Sequence, residues 1–168
     1  MIHTALITGF FKTRTGAEAA VDALLKRGYS KEDISVLMSN ETRSKEFGIE
    51  SGSKAATGAS VGGAVGGTVG AVLAAIAAVG TSIALPGLGL VIAGPLAAAL
   101  AGLGAGAATG GLVGGLIGAG IPEHRAKVYE AGIREGGILV GVQPRDDRDK
   151  EDIEHILEDV GAKNVRTA

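Results

Sequence analysis

The chain has 168 residues, which is enough for one ordinary domain or two small ones. Its formal net charge of −2 and its pI near 5.9 exclude the strongly basic surface of a typical nucleic-acid-binding protein. The absence of cysteine excludes disulfides, thiolate metal sites and cysteine nucleophiles. Glycine is abundant, at 29 residues, whereas only 3% of residues are aromatic, a composition that is not typical of globular domains.

The first 50 residues predict a strand, a helix and a second strand. Met1 to Leu6 lack the basic and long apolar regions of a secretory signal, so we expect a cytoplasmic protein or one on the cytoplasmic side of the inner membrane. Thr4–Phe11 and Asp33–Met38 are the predicted strands. Between them, Thr13 or Thr15 can cap a helix that stops at Gly28.

A segment without any charged residue or histidine follows, from Ala55 to Pro122, 68 consecutive residues. A soluble helix rarely lacks charge on every face for so long. Glycines recur in it at every fourth position, which places them in a stripe along one side of a helix where a neighbouring backbone can approach closely. The predicted helix-packing and oligomerisation residues are Gly58, Gly62, Gly66, Gly70, Gly102, Gly106, Gly110, Gly114 and Gly118.

The same segment predicts a helical hairpin. Its arms run from about Lys54 to Ala84 and from about Leu90 to Ile121, each long enough to cross a bilayer. The predicted hairpin turn contains Pro86, Gly87 and Gly89. Most of the valine, leucine and isoleucine lies near that turn, whereas glycine, alanine, serine and threonine fill the outer parts of both arms. This distribution favours an apolar tip that enters a bilayer over two full transmembrane spans.

The last part of the chain returns to ordinary soluble composition. A further helix is predicted with Pro122 in its first turn, and Gly136 and Gly137 end it. A second strand–helix–strand unit follows, with a strand at Ile138–Val142, a helix from about Asp149 to Gly161, and a strand at 164–166. Two such units predict an α+β chain with a split ferredoxin-like (βαβ…βαβ) domain. That domain comprises residues 1–50 and 122–168, and the glycine-zipper helical hairpin at 54–121 is inserted into it.

Several segments resemble a bacterial family of small stress-induced proteins, the general stress protein 17M-like family. They are Gly62–Gly70, Leu85–Gly89, Ala93–Gly102, Gly120–His124 with Tyr129, and Gly136–Val140. The resemblance covers nearly the whole chain. It implies a stress-linked protein that associates with membranes or assembles with itself, and it brings no catalytic residues with it.

The motifs that suggest enzyme chemistry are weak. Gly48–Lys54 differs from a phosphate-binding loop in both its spacing and its glycine–lysine pair, and Gly102–Ala107 has no preceding strand that would make it a dinucleotide site. His3, His124 and His155 lack the spacing of metal ligands. We therefore predict no catalytic residue, no cofactor, no metal site and no small-molecule substrate.

Three functions remain open after the sequence analysis. One is a membrane-associated structural protein, with basic residues flanking the hairpin on the cytoplasmic side. Another is a soluble homo-oligomer in which hairpins from several copies bury one another's apolar surface, as a ring, shell or filament. The third is a ligand-binding regulatory module, which rests on fold analogy alone. The expected partners are further copies of the chain and a lipid membrane, with no nucleic acid.

Overall fold

The computed structural model describes residues 6–47, 76, 81–85, 88–97 and 105–167. Six strands occur in this part of the chain: β1 (Ile7–Phe11), β2 (Ile34–Ser39), β3 (Thr81–Leu85), β4 (Leu88–Ala93), β5 (Ile138–Val142) and β6 (Lys163–Thr167). The helices are α1 (Arg14–Lys26), α2 (Asn40–Phe47), α3 (Ala105–Gly118), α4 (Glu123–Arg134) and α5 (Asp147–Asp159). The architecture is mixed α/β, in agreement with the predicted α+β class.

The strands form one sheet in the order β3-β4-β2-β5-β1-β6, and every neighbouring pair is antiparallel. Strand β5 lies between β1 and β2, although it follows them by about a hundred residues in the chain. The strands of the β1–α1–β2 and β5–α5–β6 units therefore alternate within one sheet, in the order β2-β5-β1-β6. Neither unit forms a sheet of its own.

The local signals for these two units lie close to their predicted places. Thr13 caps α1 by accepting a hydrogen bond from the Gly16 amide, and Gly28 follows the helix with φ +95°. Helix α5 starts two residues earlier than predicted because the Asp146 side chain accepts hydrogen bonds from the amides of Arg148 and Asp149. Gly161 ends the same helix with φ +88°.

Two stretches predicted as parts of the helical arms are strands instead. Thr81–Leu85 forms β3 and Leu88–Ala93 forms β4, which pairs with β2. The helix prediction is therefore wrong for residues 81–84 and 90–93, whereas the ends of the two strands at Leu85, Leu88 and Gly89 lie in the predicted turn. The physical reason is tertiary: the apolar run Leu90–Ile92 is suited to a strand buried on both faces, and the edge of β2 offers backbone partners for it. The predicted turn at Pro86 and Gly87 lies outside the described residues, and Gly89 lies within β4.

Gly94 shows how closely β4 approaches β2. It follows β4 with φ +81°, and a Cβ atom on it would lie 2.2 Å from the carbonyl oxygen of Ile34. Only glycine accommodates both this conformation and this contact. Next to it, the Leu96 amide donates a 3.0 Å hydrogen bond to the buried Ser35 hydroxyl.

The sheet has a hydrophobic layer on each face. Helices α1 and α5 cover one face, with Leu24 and Leu157 fully buried, and we call this the α1/α5 layer. Helices α3 and α4 cover the other, with Leu116 and Tyr129 fully buried, and we call this the α3/α4 layer. Strands β3 and β4 and helix α3 come from the segment 54–121, so its described parts belong to the same sheet and core as the flanking residues.

Helix α2 was missed by the sequence analysis. The Ser39 hydroxyl accepts a 3.0 Å hydrogen bond from the Thr42 amide and thereby caps the helix, while Phe47 enters the core of the α1/α5 layer. The run from Asn40 to Glu46 contains no large apolar side chain, so hydrophobic periodicity gives no signal there.

Candidate functional site

The predicted helix-packing glycines fall partly within the described residues. Gly106, Gly110, Gly114 and Gly118 lie in α3. The others lie outside the described part of the chain: Gly58, Gly62, Gly66, Gly70 and Gly102. Their role in packing remains a prediction.

Helix α3 is kinked in the middle of the glycine stripe. Gly111 has φ +61° and ψ −151°, which is not helical, so α3 consists of two short helical pieces. Gly106 and Gly110 lie on one piece, and Gly114 and Gly118 lie on the other. A stripe with a spacing of four residues is straight only on a continuous helix. The four glycines therefore do not form one straight row.

The outer side of α3 is the most unusual surface in the described part of the protein. Leu112 and Leu116 face the core, whereas Ile117 is 43% exposed. No residue of α3 is charged, while α1, α2, α4 and α5 all carry charged side chains. A helix on the surface of a soluble domain ordinarily places polar residues on its solvent side. In the sequence of α3, Thr109 is the only residue with a polar side chain.

Within the α1/α5 layer, polar contacts link the end of α1 to the start of α5. The Tyr29 hydroxyl donates a 2.7 Å hydrogen bond to Asp149, and the Arg145 guanidinium lies 4.4 Å from the centre of the Tyr29 ring. Burial, followed by the hydrogen bond to Asp149, raises the pKa of Tyr29, and the same hydrogen bond lowers the pKa of Asp149. Arg27 and Asp152 form an ion pair beside them. These residues connect the end of α1 with the start of α5.

A second polar cluster lies at the edge strand β6. The Tyr129 hydroxyl, fully buried, donates a 3.0 Å hydrogen bond to the Asn164 carbonyl and shares a 2.9 Å hydrogen bond with the Thr8 hydroxyl. Asn164 has φ +54°, and the pairing of β1 with β6 is irregular at this point. Tyr129 thus stabilises a bulge in the edge strand.

A cavity of about 570 Å³ lies beside this bulge. Residues of α4, α5 and β6, with the turn before β6, line it: His124, Arg125, Val128, Glu158, Ala162, Asn164 and Val165. Its size is within the range of small-molecule sites, although much of its wall is exposed. The sequence analysis treated His124 as an isolated surface histidine and gave no signal for this cavity, because its residues meet only through the fold.

Groups suited to metal binding are not brought together in the described ranges. No three histidine, aspartate or glutamate side chains there lie close enough to hold a metal ion. His155 lies on α5, apart from His124, while His3 and the loop at 48–54 lie outside the described residues. Among the helices that the structure describes, none is long and apolar enough to cross a membrane.

Comparisons with protein-family models, with curated proteins and with solved structures gave no match for this chain. The function of the chain is therefore inferred from its residues and their geometry.

Proposed function

We propose that this chain is a non-enzymatic, stress-linked structural protein that assembles with itself through its uncharged segment and associates with membranes. The observation that carries this proposal is the outer side of α3, which has no charge and exposes Ile117. Apolar surface of this kind is stable when another apolar surface covers it. Further copies of the chain, or the acyl region of a lipid bilayer, provide such a surface.

The platform for this surface is proposed to be a split ferredoxin-like domain. The order β2-β5-β1-β6, with α1 and α5 on one face, supports that assignment. Strands β3 and β4 extend the sheet beyond β2, and α3 lies on the opposite face from α1 and α5. In this arrangement the domain presents the uncharged helix α3 on one side, which is suited to a protein on the cytoplasmic side of a membrane.

A matched pair of substitutions tests the proposal. Ile117 and Val128 have similar exposure, 43% and 49%, but Ile117 lies in the uncharged segment and Val128 lies on the charged helix α4. We expect Ile117→Glu to abolish membrane retention and assembly while Val128→Glu preserves both. Cell fractionation with a carbonate wash measures retention, and light scattering of the purified chain measures assembly.

Point substitutions are preferable to deletion of residues 55–121. That deletion would also remove β3, β4 and the buried Leu116, and so would disrupt the folded domain itself. If Ile117→Glu retained both properties with an unchanged far-UV spectrum, the proposal would be refuted. Full extraction of the wild type into a detergent-free particle of high mass would instead favour the soluble assembly.

Substitution of the stripe itself gives a complementary test. Gly66→Leu and Gly110→Leu are expected to abolish assembly and leave the α/β domain folded, because a large side chain prevents close approach of two helices. Unchanged assembly would show that these glycines are not contacts between copies.

A regulatory ligand-binding module is the second candidate. The cavity at the β6 edge favours it, since that cavity combines a nine-tenths-buried arginine, Arg125, with His124 and Glu158. Binding of a small molecule there should protect the amides around Val165 from hydrogen exchange and leave the exchange of α3 amides unchanged.

A further inference from the structure

The cavity beside β6 has charged residues of opposite sign in its lining. His124 and Arg125 lie in the first turn of α4, and Glu158 lies in the last turn of α5. A helix carries partial positive charge at its start and partial negative charge at its end, so each helix end has the same sign as the charged side chain that it contributes. The cavity therefore has a positive part and a negative part.

Arg125 gives the positive part a fixed position. It is 9% exposed and is the least exposed of the charged residues in the lining. A guanidinium has five N–H donors in a rigid fork, so an arginine that contacts the protein on one side still has donors for a ligand on another. Two parallel hydrogen bonds from such a fork match the oxygens of a carboxylate. The start of α4 therefore suits the carboxylate group of a ligand.

Glu158 is the acid of the negative part. Its side chain is exposed, and it belongs to none of the six ion pairs between described residues. Its carboxylate can therefore pair with the ammonium group of a ligand. The same carboxylate disfavours a dianion such as phosphate or a dicarboxylate, because like charges repel each other.

The rest of the lining is mostly aliphatic. Val128, Ala162 and Val165 contribute apolar surface, and Asn164 is the one further polar residue of the lining. None of these residues is aromatic, so a nucleobase or another flat ring has no aromatic partner for stacking. The volume of about 570 Å³ leaves room for an aliphatic group beside the two charges.

We propose that this cavity binds a small zwitterion with an aliphatic side chain, either a free amino acid such as leucine or a dipeptide of such residues. Arg125 donates hydrogen bonds to the carboxylate, Glu158 pairs with the ammonium group, and the aliphatic side chain contacts Val128 and Val165. This inference rests on the second candidate function, the ligand-binding module, and does not depend on assembly through α3.

Calorimetric titration of the full chain with matched ligands tests each of the three contacts. Leucinamide lacks the carboxylate charge of L-leucine, and glycine lacks the aliphatic side chain, so we expect both to bind about tenfold more weakly than L-leucine. Isocaproate is L-leucine without the amino group and should bind about two- to fivefold more weakly, because Glu158 is exposed. Tighter binding of leucyl-leucine than of L-leucine would identify a dipeptide as the ligand, and weaker binding would identify the free amino acid.

Two neighbouring acids of α5 provide a matched pair of variants. Both Glu158 and Asp159 are exposed, but only Glu158 lines the cavity. Glu158→Gln should weaken L-leucine binding about two- to fivefold without weakening isocaproate binding, because isocaproate has no ammonium group. Asp159→Asn should leave the binding of both ligands unchanged. An equal effect of the two substitutions on L-leucine would overturn the assigned contact with Glu158.

Arg125→Met should weaken the binding of L-leucine and of isocaproate and leave leucinamide binding unchanged. If this variant does not fold, the ligand series on the wild type still decides the question. Equal binding of L-leucine, leucinamide and isocaproate to the wild type would overturn the preference for a zwitterion and leave the cavity as a ligand site.

Hydrogen exchange separates the failure of this inference from the failure of the ligand-binding module. Bound L-leucine should protect the Val165 amide, and binding without this protection would place the ligand elsewhere and overturn the inference. If L-leucine gave no binding heat, the inference would be wrong, and the module would be supported only by protection of Val165 with leucinamide or isocaproate. Protection by none of these ligands would count against both.

Discussion

The two helical layers of this protein bury similar cores, but one helix of the α3/α4 layer, α3, has an outer surface without charge. Helices α1 and α5 carry charged residues outside and are joined by the contacts of Tyr29 with Asp149 and of Arg27 with Asp152. Helix α3 in the other layer is uncharged on all sides. The comparison shows that a helix can bury one side in the core without carrying charge on its opposite side.

The first prediction compares the cores of the two layers. Leu116 on α3 and Leu157 on α5 are both fully buried. Substitution of either by alanine should lower the free energy of unfolding by about 2–5 kcal/mol, because each removes buried side-chain atoms and leaves a cavity. Urea denaturation measures both. If Leu157→Ala lowered the urea midpoint of unfolding and Leu116→Ala left it unchanged, α3 would unfold separately from the sheet.

The second prediction concerns the junction of the uncharged segment with the sheet. Gly94→Ala should cost about 2–4 kcal/mol, since the new Cβ would meet the backbone of Ile34 and the residue keeps a positive φ. Gly161→Ala is the matched control on the other layer, with a similar φ of +88° and open space around it, and should cost about 1–2 kcal/mol. Equal costs in urea denaturation would contradict the close contact of β4 with β2.

The third prediction compares two tyrosines on opposite faces. Tyr129→Phe removes two hydrogen bonds and leaves Thr8 and the Asn164 carbonyl without this partner, so it should cost about 1–3 kcal/mol. Tyr29→Phe removes one hydrogen bond to a carboxylate near the surface and should cost about 0.5–1.5 kcal/mol. Chemical denaturation of both variants tests the order. If Tyr29→Phe lowered the free energy of unfolding more than Tyr129→Phe did, the stronger polar contact would be the one in the α1/α5 layer.

The smallest expected effect is the pH dependence of the contact between Tyr29 and Asp149 in the α1/α5 layer. The pKa of Asp149 is lowered, so its contribution to stability is present above the ordinary aspartate pKa of about 4 and is lost as the pH falls through the lower folded value. The pKa of Tyr29 is raised, so its contribution is present below about 10 and is lost as the pH rises through the higher folded value.

Tyr29→Phe should therefore flatten the stability profile at both the acid and the alkaline end. Denaturation midpoints of this variant and of the wild type, measured from pH 3 to pH 11, test the expectation. Parallel profiles at both ends would show that the Tyr29–Asp149 contact does not control this pH dependence.

Much of the α1/α5 layer was predictable because its signals are local. The helix cap at Thr13, the glycines that end α1 and α5, and the strand Ile138–Val142 all depend on a few neighbouring residues. The α3/α4 side was harder because the same apolar and glycine-rich composition suits a helix or a strand. The contact of β4 with β2, between residues more than 50 positions apart, determined which one forms at 88–93.

The polar cluster at β6 was not predictable from spacing. Thr8, Tyr129 and Asn164 meet only because β6 pairs with β1 beneath α4. The sequence around a single polar residue does not indicate its contacts with residues that are distant in the chain. Such a residue becomes buried only when the helical layers and the sheet pack together.

The sequence by itself determined that charge is absent from 55 to 122 and that two strand–helix–strand units flank this segment, because composition and periodicity are local properties. Tertiary structure alone decided that part of the segment joins the sheet as β3 and β4 and that α3 bends at Gly111. The physical reason is that the open edge of β2 requires backbone partners, and the apolar residues beside it satisfy that requirement better as strands than as helix.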